Sequence, residues 1–119
     1  MVEDWLALIA NMNGAVRDLR QAAPEVMKTF SEMARAAHRG AVLDAPTKEL
    51  VALAISVAIR CAPRIAYHAK GAVNAGASRA AVAETPAMAV YMGAGPSVIY
   101  AAQVLEAVDQ MLAGSTKPG

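Results

Sequence analysis

The sequence predicts an all-α fold of about six helices. Strands in which apolar and polar residues alternate are absent from the chain, and alanine, the best helix former, is abundant. Prolines and glycines recur at intervals that suit the starts and ends of helices. With 119 residues and no linkers or repeats, the chain is predicted to be a single domain, residues 1–119.

The first two helices are predicted to meet at Pro24. The first spans about residues 2–22. Pro24 then suits the first turn of a second helix, which Gly40 ends. One face of the second helix carries an apolar stripe: Val26, Met27, Phe30, Met33, Ala34 and Ala37. This spacing is typical of a helix that packs by one face.

The third helix is predicted to be the core helix. Asp44 or Thr47 is its candidate N-cap, and Glu49 lies in its first turn. The segment after Glu49, residues 50–59, is apolar on nearly every side. A helix without a polar face is expected to be buried all round.

A fourth helix is predicted over about residues 63–75. Pro63 should push Ala62 out of helical geometry and open the helix, and Gly76 should end it.

Two more helices complete the predicted fold. Ser78 is expected to cap a fifth helix over about residues 79–92, which Pro86 should bend. A glycine-rich turn leads to a sixth helix over about residues 97–112, and residues 114–119 are expected to form a frayed tail. Two residues of the fifth helix are predicted from their spacing to lie in the core: Met88 and Met92.

Composition excludes some classes of function and favours self-association. A net charge of +1 provides no basic surface for nucleic acid. The uncharged segment Thr85–Leu105 is interrupted by prolines and glycines, so no membrane span is expected. One cysteine and no recognisable export signal favour the cytoplasm. The apolar fraction is 56%, more than a small domain can bury, which predicts a homo-oligomer.

Four polar residues in apolar surroundings form the candidate site: Glu49, Cys61, Arg64 and His68. Carboxylate, thiol and imidazole groups together can transfer protons and perform thiol chemistry. Arg64 and His68 are four residues apart on one helix and should share a face. Glu49 lies about 18 Å from Cys61 along a straight helix, so its contact with His68 depends on how the helices cross. No metal-ligand spacing is present, and neither a metal nor a cofactor is predicted.

The spacing of these residues resembles the carboxymuconolactone decarboxylase family, and more closely its alkylhydroperoxidase-like (AhpD-like) branch. The matching residues are Glu49, Cys61 and His68. The downstream segments 68–79 and 91–96 also resemble the family, and the likeness covers roughly residues 24–112. It implies a helical protomer that assembles as a homotrimer or homohexamer.

The resemblance implies a peroxiredoxin-type oxidoreductase that reduces a hydroperoxide with the help of a thiol reductant protein. In that branch a Cys-x-x-Cys pair precedes the histidine. Its second cysteine attacks peroxide, its first closes a disulfide, and the histidine and glutamate take up the proton. Cys61 matches the first cysteine, whereas Arg64 occupies the position of the attacking one. The two-cysteine cycle is therefore expected to be impaired.

Several alternatives stay open. Cys61 can act alone, with Arg64 and His68 stabilising its thiolate. A decarboxylase or related lyase can use Arg64 to bind a small organic acid and His68 to transfer a proton. The third class is a non-catalytic helical oligomer that binds a small ligand or only assembles, and an ion pair of Glu49 with Arg64 in a closed core would favour it. The other histidine, His38, is expected to interact with a helix dipole and is assigned no function.

Overall fold

The computed structural model describes residues 3–116, of which residues 3–114 have described side chains. Six helices follow one another: α1 (Trp5–Ala22), α2 (Pro24–His38), α3 (Ala45–Ala58), α4 (Ala62–Asn74), α5 (Arg79–Gly93) and α6 (Gly95–Thr116). The described residues contain no strand, so the predicted all-α class is confirmed. None of the helices found within them is long and apolar enough to span a bilayer.

Three helices begin with a side-chain cap of the expected kind. Asp4, Asp44 and Ser78 lie in extended backbone just before α1, α3 and α5. Each side-chain oxygen accepts a hydrogen bond from the N–H group three residues further on. Of the two candidate caps for α3, Asp44 is therefore the one that acts.

Two prolines lie within helices, Pro63 in the first turn of α4 and Pro86 inside α5. Ala62 is the first residue of α4 and Pro63 follows it in the first turn, so the prediction that Pro63 displaces Ala62 from the helix was wrong. The N–H groups of a first turn have no acceptor within the helix, so proline loses nothing there. The α5 helix also continues through Pro86, which is buried.

The ends of the chain differ from the prediction as well. The α1 helix begins at Trp5 rather than near Val2, which lies outside the described residues. The α6 helix extends to Thr116, so the prediction of a frayed tail was wrong for residues 114–116. The remainder of that predicted tail, residues 117–119, also lies outside the described residues.

The core lies where α3, α4, α5 and α6 pack together, with α1 covering α4 and α6. Its larger fully buried side chains are Trp5, Leu53, Val57, Ile65, Val82, Val104 and Val108. Trp5 also ties α1 to α6, because its indole Nε1 donates to Glu106 Oε1 at 2.8 Å. The site helices α3 and α4 are therefore held in a packed interior.

The α3 helix is not buried all round, which corrects the prediction. Leu53, Ser56 and Val57 are buried, but the opposite face is exposed in the single chain: Val51, Ile55 and Ile59. The two methionines of α5 predicted to be core residues are exposed as well: Met88 and Met92. The α2 helix buries no residue completely. Periodicity predicts an apolar face but does not say which molecule covers it.

The turn between α3 and α4 positions the start of α4. The N–H of Cys61 donates to the Ser56 carbonyl, and that of Arg60 donates to the Val57 carbonyl. Arg60 itself has φ of 59°, in the left-handed region that usually favours glycine. At the end of α4 the same bonding pattern is built around Gly76, with φ of 94°. The turn at Arg60 thus places Cys61 at the N-cap of α4.

Candidate functional site

The packing of α3 against α4 brings Glu49 and His68 together. Glu49 Oε2 lies 2.9 Å from His68 Nδ1, and both side chains are largely covered, with exposed fractions of 17% and 21%. Both residues were predicted to belong to the site, but their contact depended on a helix crossing that the sequence does not specify. The crossing supplies this contact.

This contact assigns the roles of the two ring nitrogens of His68. An ionised carboxylate can only accept a hydrogen bond, so Nδ1 carries the hydrogen and donates it to Oε2. A neutral imidazole then has a free lone pair on Nε2. Within residues 3–114, no other side chain hydrogen-bonds to the His68 ring. Nε2 is the atom of this pair that can exchange a proton with a ligand.

Gly71 provides the space that the Glu49 carboxylate occupies. It lies three residues after His68 on α4, and a Cβ atom at this position would lie 2.7 Å from Glu49 Cδ and clash with Oε2. Sequence reasoning did not single out Gly71. A signal was present, because a glycine within a helix costs about 1 kcal/mol relative to alanine and often marks a close approach.

His38 binds the other oxygen of the same carboxylate. Its Nε2 lies 3.2 Å from Glu49 Oε1, and its Nδ1 lies 2.7 Å from the carbonyl oxygen of Ala34. The sequence assigned His38 only a helix-dipole interaction, and this contact was missed. The two residues are eleven positions apart on different helices, and no local pattern predicts that they meet.

Lys48 anchors the end of α2 beside this carboxylate. Its Nζ donates to the carbonyl oxygen of His38 at 2.9 Å and also to that of Gly40. These carbonyls lie at or just beyond the end of α2, where acceptors lack partners within the helix. Two neighbouring residues of α3 thus hold His38: Lys48 bonds to the backbone of His38, and Glu49 bonds to the His38 ring.

The contacts above join His38, Lys48, Glu49 and His68 into one polar cluster. Cys61 and Arg64 are not bonded to this cluster. Cys61 is a partly exposed free thiol at the N-cap of α4, and its side chain makes no capping hydrogen bond. Arg64 is exposed in the first turn of the same helix. In the part of the chain whose side chains are described, neither bonds to Glu49 or His68. Glu49 binds the two histidines, so the considered Glu49–Arg64 ion pair is not formed.

The surroundings of the cluster include a shallow cavity but no metal-binding group. A depression of about 520 Å³ opens beside the exposed end of the cluster and is lined by residues of α2 and its C-cap: Glu32, Arg35, His38 and Arg39. Among the described residues, no group of three or more histidine, cysteine, aspartate or glutamate side chains could hold a metal ion.

The fold and the site define a helical protein in which a carboxylate orients a histidine across two packed helices. Residues 24–107 match the family model of the carboxymuconolactone decarboxylase family. This match covers most of the chain, which therefore belongs to that family. The resemblance inferred from the spacing of Glu49, Cys61 and His68 is confirmed at this level.

Proteins of known sequence or structure agree with this membership. A crystal structure of apo-lpg0406, a carboxymuconolactone decarboxylase family protein from Legionella pneumophila, is 40% identical, with a TM-score of 0.86 over 89% of this chain and 95% of the other. An uncharacterized protein of Cupriavidus necator is 32% identical over 93% of this chain and 98% of its own length. An uncharacterized protein of Haemophilus influenzae is 38% identical over 72 residues, which are 60% of this chain and 64% of that protein.

Proposed function

We propose that the protein is a lyase that transfers a proton during the decarboxylation of a small organic acid. His68 is the acid–base residue, Glu49 orients it, and Arg64 binds a carboxylate of the substrate. The observation that carries the proposal is the 2.9 Å contact between Glu49 Oε2 and His68 Nδ1. It fixes the ring and presents Nε2 for proton exchange.

The proposed reaction balances with the groups present. The bond between the substrate and its carboxylate breaks, CO₂ departs, and the electron pair stays on carbon. The protonated His68 ring delivers its Nε2 proton to that carbon and becomes neutral, and a proton taken up from the solvent then restores the protonated ring. The negative charge of the Glu49 carboxylate, which faces Nδ1, stabilises the positive charge of the protonated ring.

The position of Arg64 supports a role in substrate binding. It precedes His68 by four residues on α4, so the two side chains project from the same side of the helix. Guanidinium groups bind carboxylates through two parallel hydrogen bonds. Because Glu49 is held by histidines, the exposed Arg64 is left to bind an anionic ligand.

A one-cysteine thiol peroxidase is the second candidate. Cys61 is partly exposed at the N-terminal end of α4, where the helix dipole favours an anion. In that reaction the thiolate would attack a hydroperoxide, releasing an alcohol and leaving a sulfenic acid that an external thiol reductant must reduce. The chain has one cysteine, so a disulfide cycle within it is not available.

We also propose that the protein works as a homo-oligomer, with a trimer or hexamer as the expected forms. Exposed apolar side chains lie on α3 and its C-cap, on α5 and on α6: Val51, Ile55, Ile59, Met88, Tyr91, Met92, Val98 and Ile99. Contact with a second copy would remove this surface from water. Sedimentation at micromolar concentration should show an oligomer, and a monomer alone would contradict this proposal.

The proposed activity is tested with a carboxymuconolactone as the probe. The native protein should release CO₂ from it, and His68→Gln should lower the rate by about 10²–10⁴-fold. Hydroperoxide consumption with a dithiol reductant is measured in parallel for the native protein and Arg64→Cys. Peroxide turnover by the native protein without CO₂ release would favour the second candidate. Turnover in neither assay would contradict both enzyme proposals and favour the non-catalytic oligomer.

A further inference from the structure

The carboxylate of Glu49 is shared by the only two histidines of the chain. Oε2 faces His68 Nδ1 at 2.9 Å, and Oε1 faces His38 Nε2 at 3.2 Å. The three side chains come from α4, α3 and α2, so this carboxylate connects three helices. The two histidines differ in their contact with water, because the side chain of His38 is 47% exposed and that of His68 is 21% exposed.

The hydrogen bonds of His38 specify where its protons lie. The Ala34 carbonyl oxygen, 2.7 Å from Nδ1, can only accept, so Nδ1 carries a hydrogen. In a neutral ring Nε2 would then have a lone pair directed at the lone pairs of Glu49 Oε1. Such a contact is favourable only if Nε2 also carries a hydrogen and donates it to Oε1.

We infer that His38 is a positioning residue for His68. Through the hydrogen bond from Nε2 it holds Glu49 Oε1, so that Oε2 stays in place to accept from His68 Nδ1. The importance of this bond for catalysis rests on the proposed function, in which His68 transfers the proton. The bond itself follows from geometry alone, because both His38 ring nitrogens have a partner.

The charged groups around His38 are compatible with this role. From α3, Glu49 faces the ring and Lys48 bonds to the carbonyl oxygen of His38. From α2 and its C-cap, three charged residues line the adjacent cavity: Glu32, Arg35 and Arg39. Lys48 fixes the backbone at the end of α2, so the ring is presented to Glu49 by an anchored residue.

Nitrogen-15 NMR of the native protein tests the proton positions directly, because its two histidines provide only four imidazole nitrogens. The hydrogens facing the three acceptors should be found at His68 Nδ1, His38 Nδ1 and His38 Nε2. Free neutral histidine prefers the other tautomer, which makes the expected pattern diagnostic. A His68 ring protonated only at Nε2, or a His38 ring unprotonated at Nδ1, would overturn the inference.

Variants at His38 test positioning apart from folding. In His38→Gln the side-chain amide can donate to Oε1 as Nε2 does, whereas His38→Ala cannot, and Arg39→Gln is the matched control. The His68 nitrogen signals should move in His38→Ala, stay near native values in His38→Gln and remain unchanged in Arg39→Gln. The rate of CO₂ release should fall roughly tenfold in His38→Ala and recover in His38→Gln.

The two readouts separate the inference from the proposed function. If the His68 signals respond as expected but no variant and no native protein releases CO₂, the positioning role holds and the proposed lyase activity fails. If His38→Ala is folded and leaves the His68 signals at native values, the positioning role is wrong whatever the activity. Should His38→Ala fail to fold, the native spectrum and His38→Gln still decide the question.

Discussion

The two ends of α3 hold different halves of the polar set that the sequence singles out. Near its first turn, Glu49 is bonded to two histidines, Lys48 bonds to the preceding chain, and Gly71 leaves room for the carboxylate. Beyond its last turn, Cys61 and Arg64 make no described contact with that cluster. One end is assembled before any ligand arrives, and the other is open.

This difference suggests that the two ends have different functions. Groups fixed by hydrogen bonds within a packed interior lose little freedom when a reaction begins, which suits a proton-transfer pair. An exposed guanidinium keeps its freedom until a ligand binds, which suits recognition of an anion. In the proposed function, the chemistry lies at the Glu49 end and substrate binding at the Arg64 end.

Substitution at each end should affect different kinetic constants. Glu49→Gln removes the charge that stabilises the protonated His68 ring, and kcat for CO₂ release should fall by about 10²-fold. Arg64→Gln removes a binding group, so KM should rise while kcat changes less. Steady-state kinetics on both variants measures this contrast. Equal effects on kcat would show that the two ends do not divide the work in this way.

Gly71→Ala should separate activity from stability. The added Cβ displaces the end of the flexible Glu49 side chain, so the Glu49–His68 contact should break and CO₂ release should fall roughly tenfold or more. Stability should change by less than about 1 kcal/mol, because alanine also improves helix propensity. Activity assays and urea unfolding together test this.

Gly14→Ala is the matched control for that substitution. Gly14 also lies within a helix, but a Cβ there meets only Arg17, at an ordinary 3.9 Å. This variant should gain about 0.5–1 kcal/mol of stability and keep its activity. If both glycine variants keep their activity, close packing at Gly71 is not what positions Glu49.

In the turn after α3, a substitution to glycine should raise the stability of the protein. Arg60 has φ of 59°, a conformation that costs a non-glycine residue about 1–2 kcal/mol. Arg60→Gly should therefore raise the free energy of unfolding by roughly 0.5–1 kcal/mol, and Gly76→Ala, at φ of 94°, should lower it by a similar amount. Urea unfolding measures both. A destabilised Arg60→Gly would show that the arginine side chain contributes contacts of its own.

The smallest expected effect is a pH dependence at the start of α3. Hydrogen bonds from the side chain and backbone of Thr47 lower the pKa of Asp44 below its ordinary value of 3.8. The stabilising contribution of this cap is therefore fully present above pH 3.8 and is lost as the pH falls through the lowered pKa. Asp44→Asn keeps a capping oxygen without the charge, so its unfolding free energy should decline less in acid.

Asp109 must be controlled in that experiment. Its pKa is also lowered, by its hydrogen bonds with Arg79, and it loses its contribution over the same acid range. Comparing Asp44→Asn with and without Asp109→Asn isolates the cap. An acid dependence that Asp44→Asn leaves unaltered would contradict the assigned role of the Asp44 carboxylate.

The sequence predicted the helices and singled out Glu49 and His68 for definite physical reasons. Proline, glycine and capping residues act locally, so Asp44, Ser78 and Gly76 marked helix ends correctly. The contact between Glu49 and His68 depends on how two helices pack, and only the fold specifies that. His38 and Gly71 take part only through this packing. The exposed face of α3 was predicted to be buried because periodicity does not separate a core from an uncovered surface.

In the proposed function, the Glu49–His68 pair, and not the Cys61 thiol, performs the chemistry. The most direct test of this role is the rate of CO₂ release from a carboxymuconolactone by Cys61→Ser relative to the native protein. Serine preserves the size of the side chain and removes the thiolate. The rate of Cys61→Ser should lie within about twofold of native, since no proposed step uses sulfur. A loss as large as that of His68→Gln would contradict it and assign the reaction to Cys61.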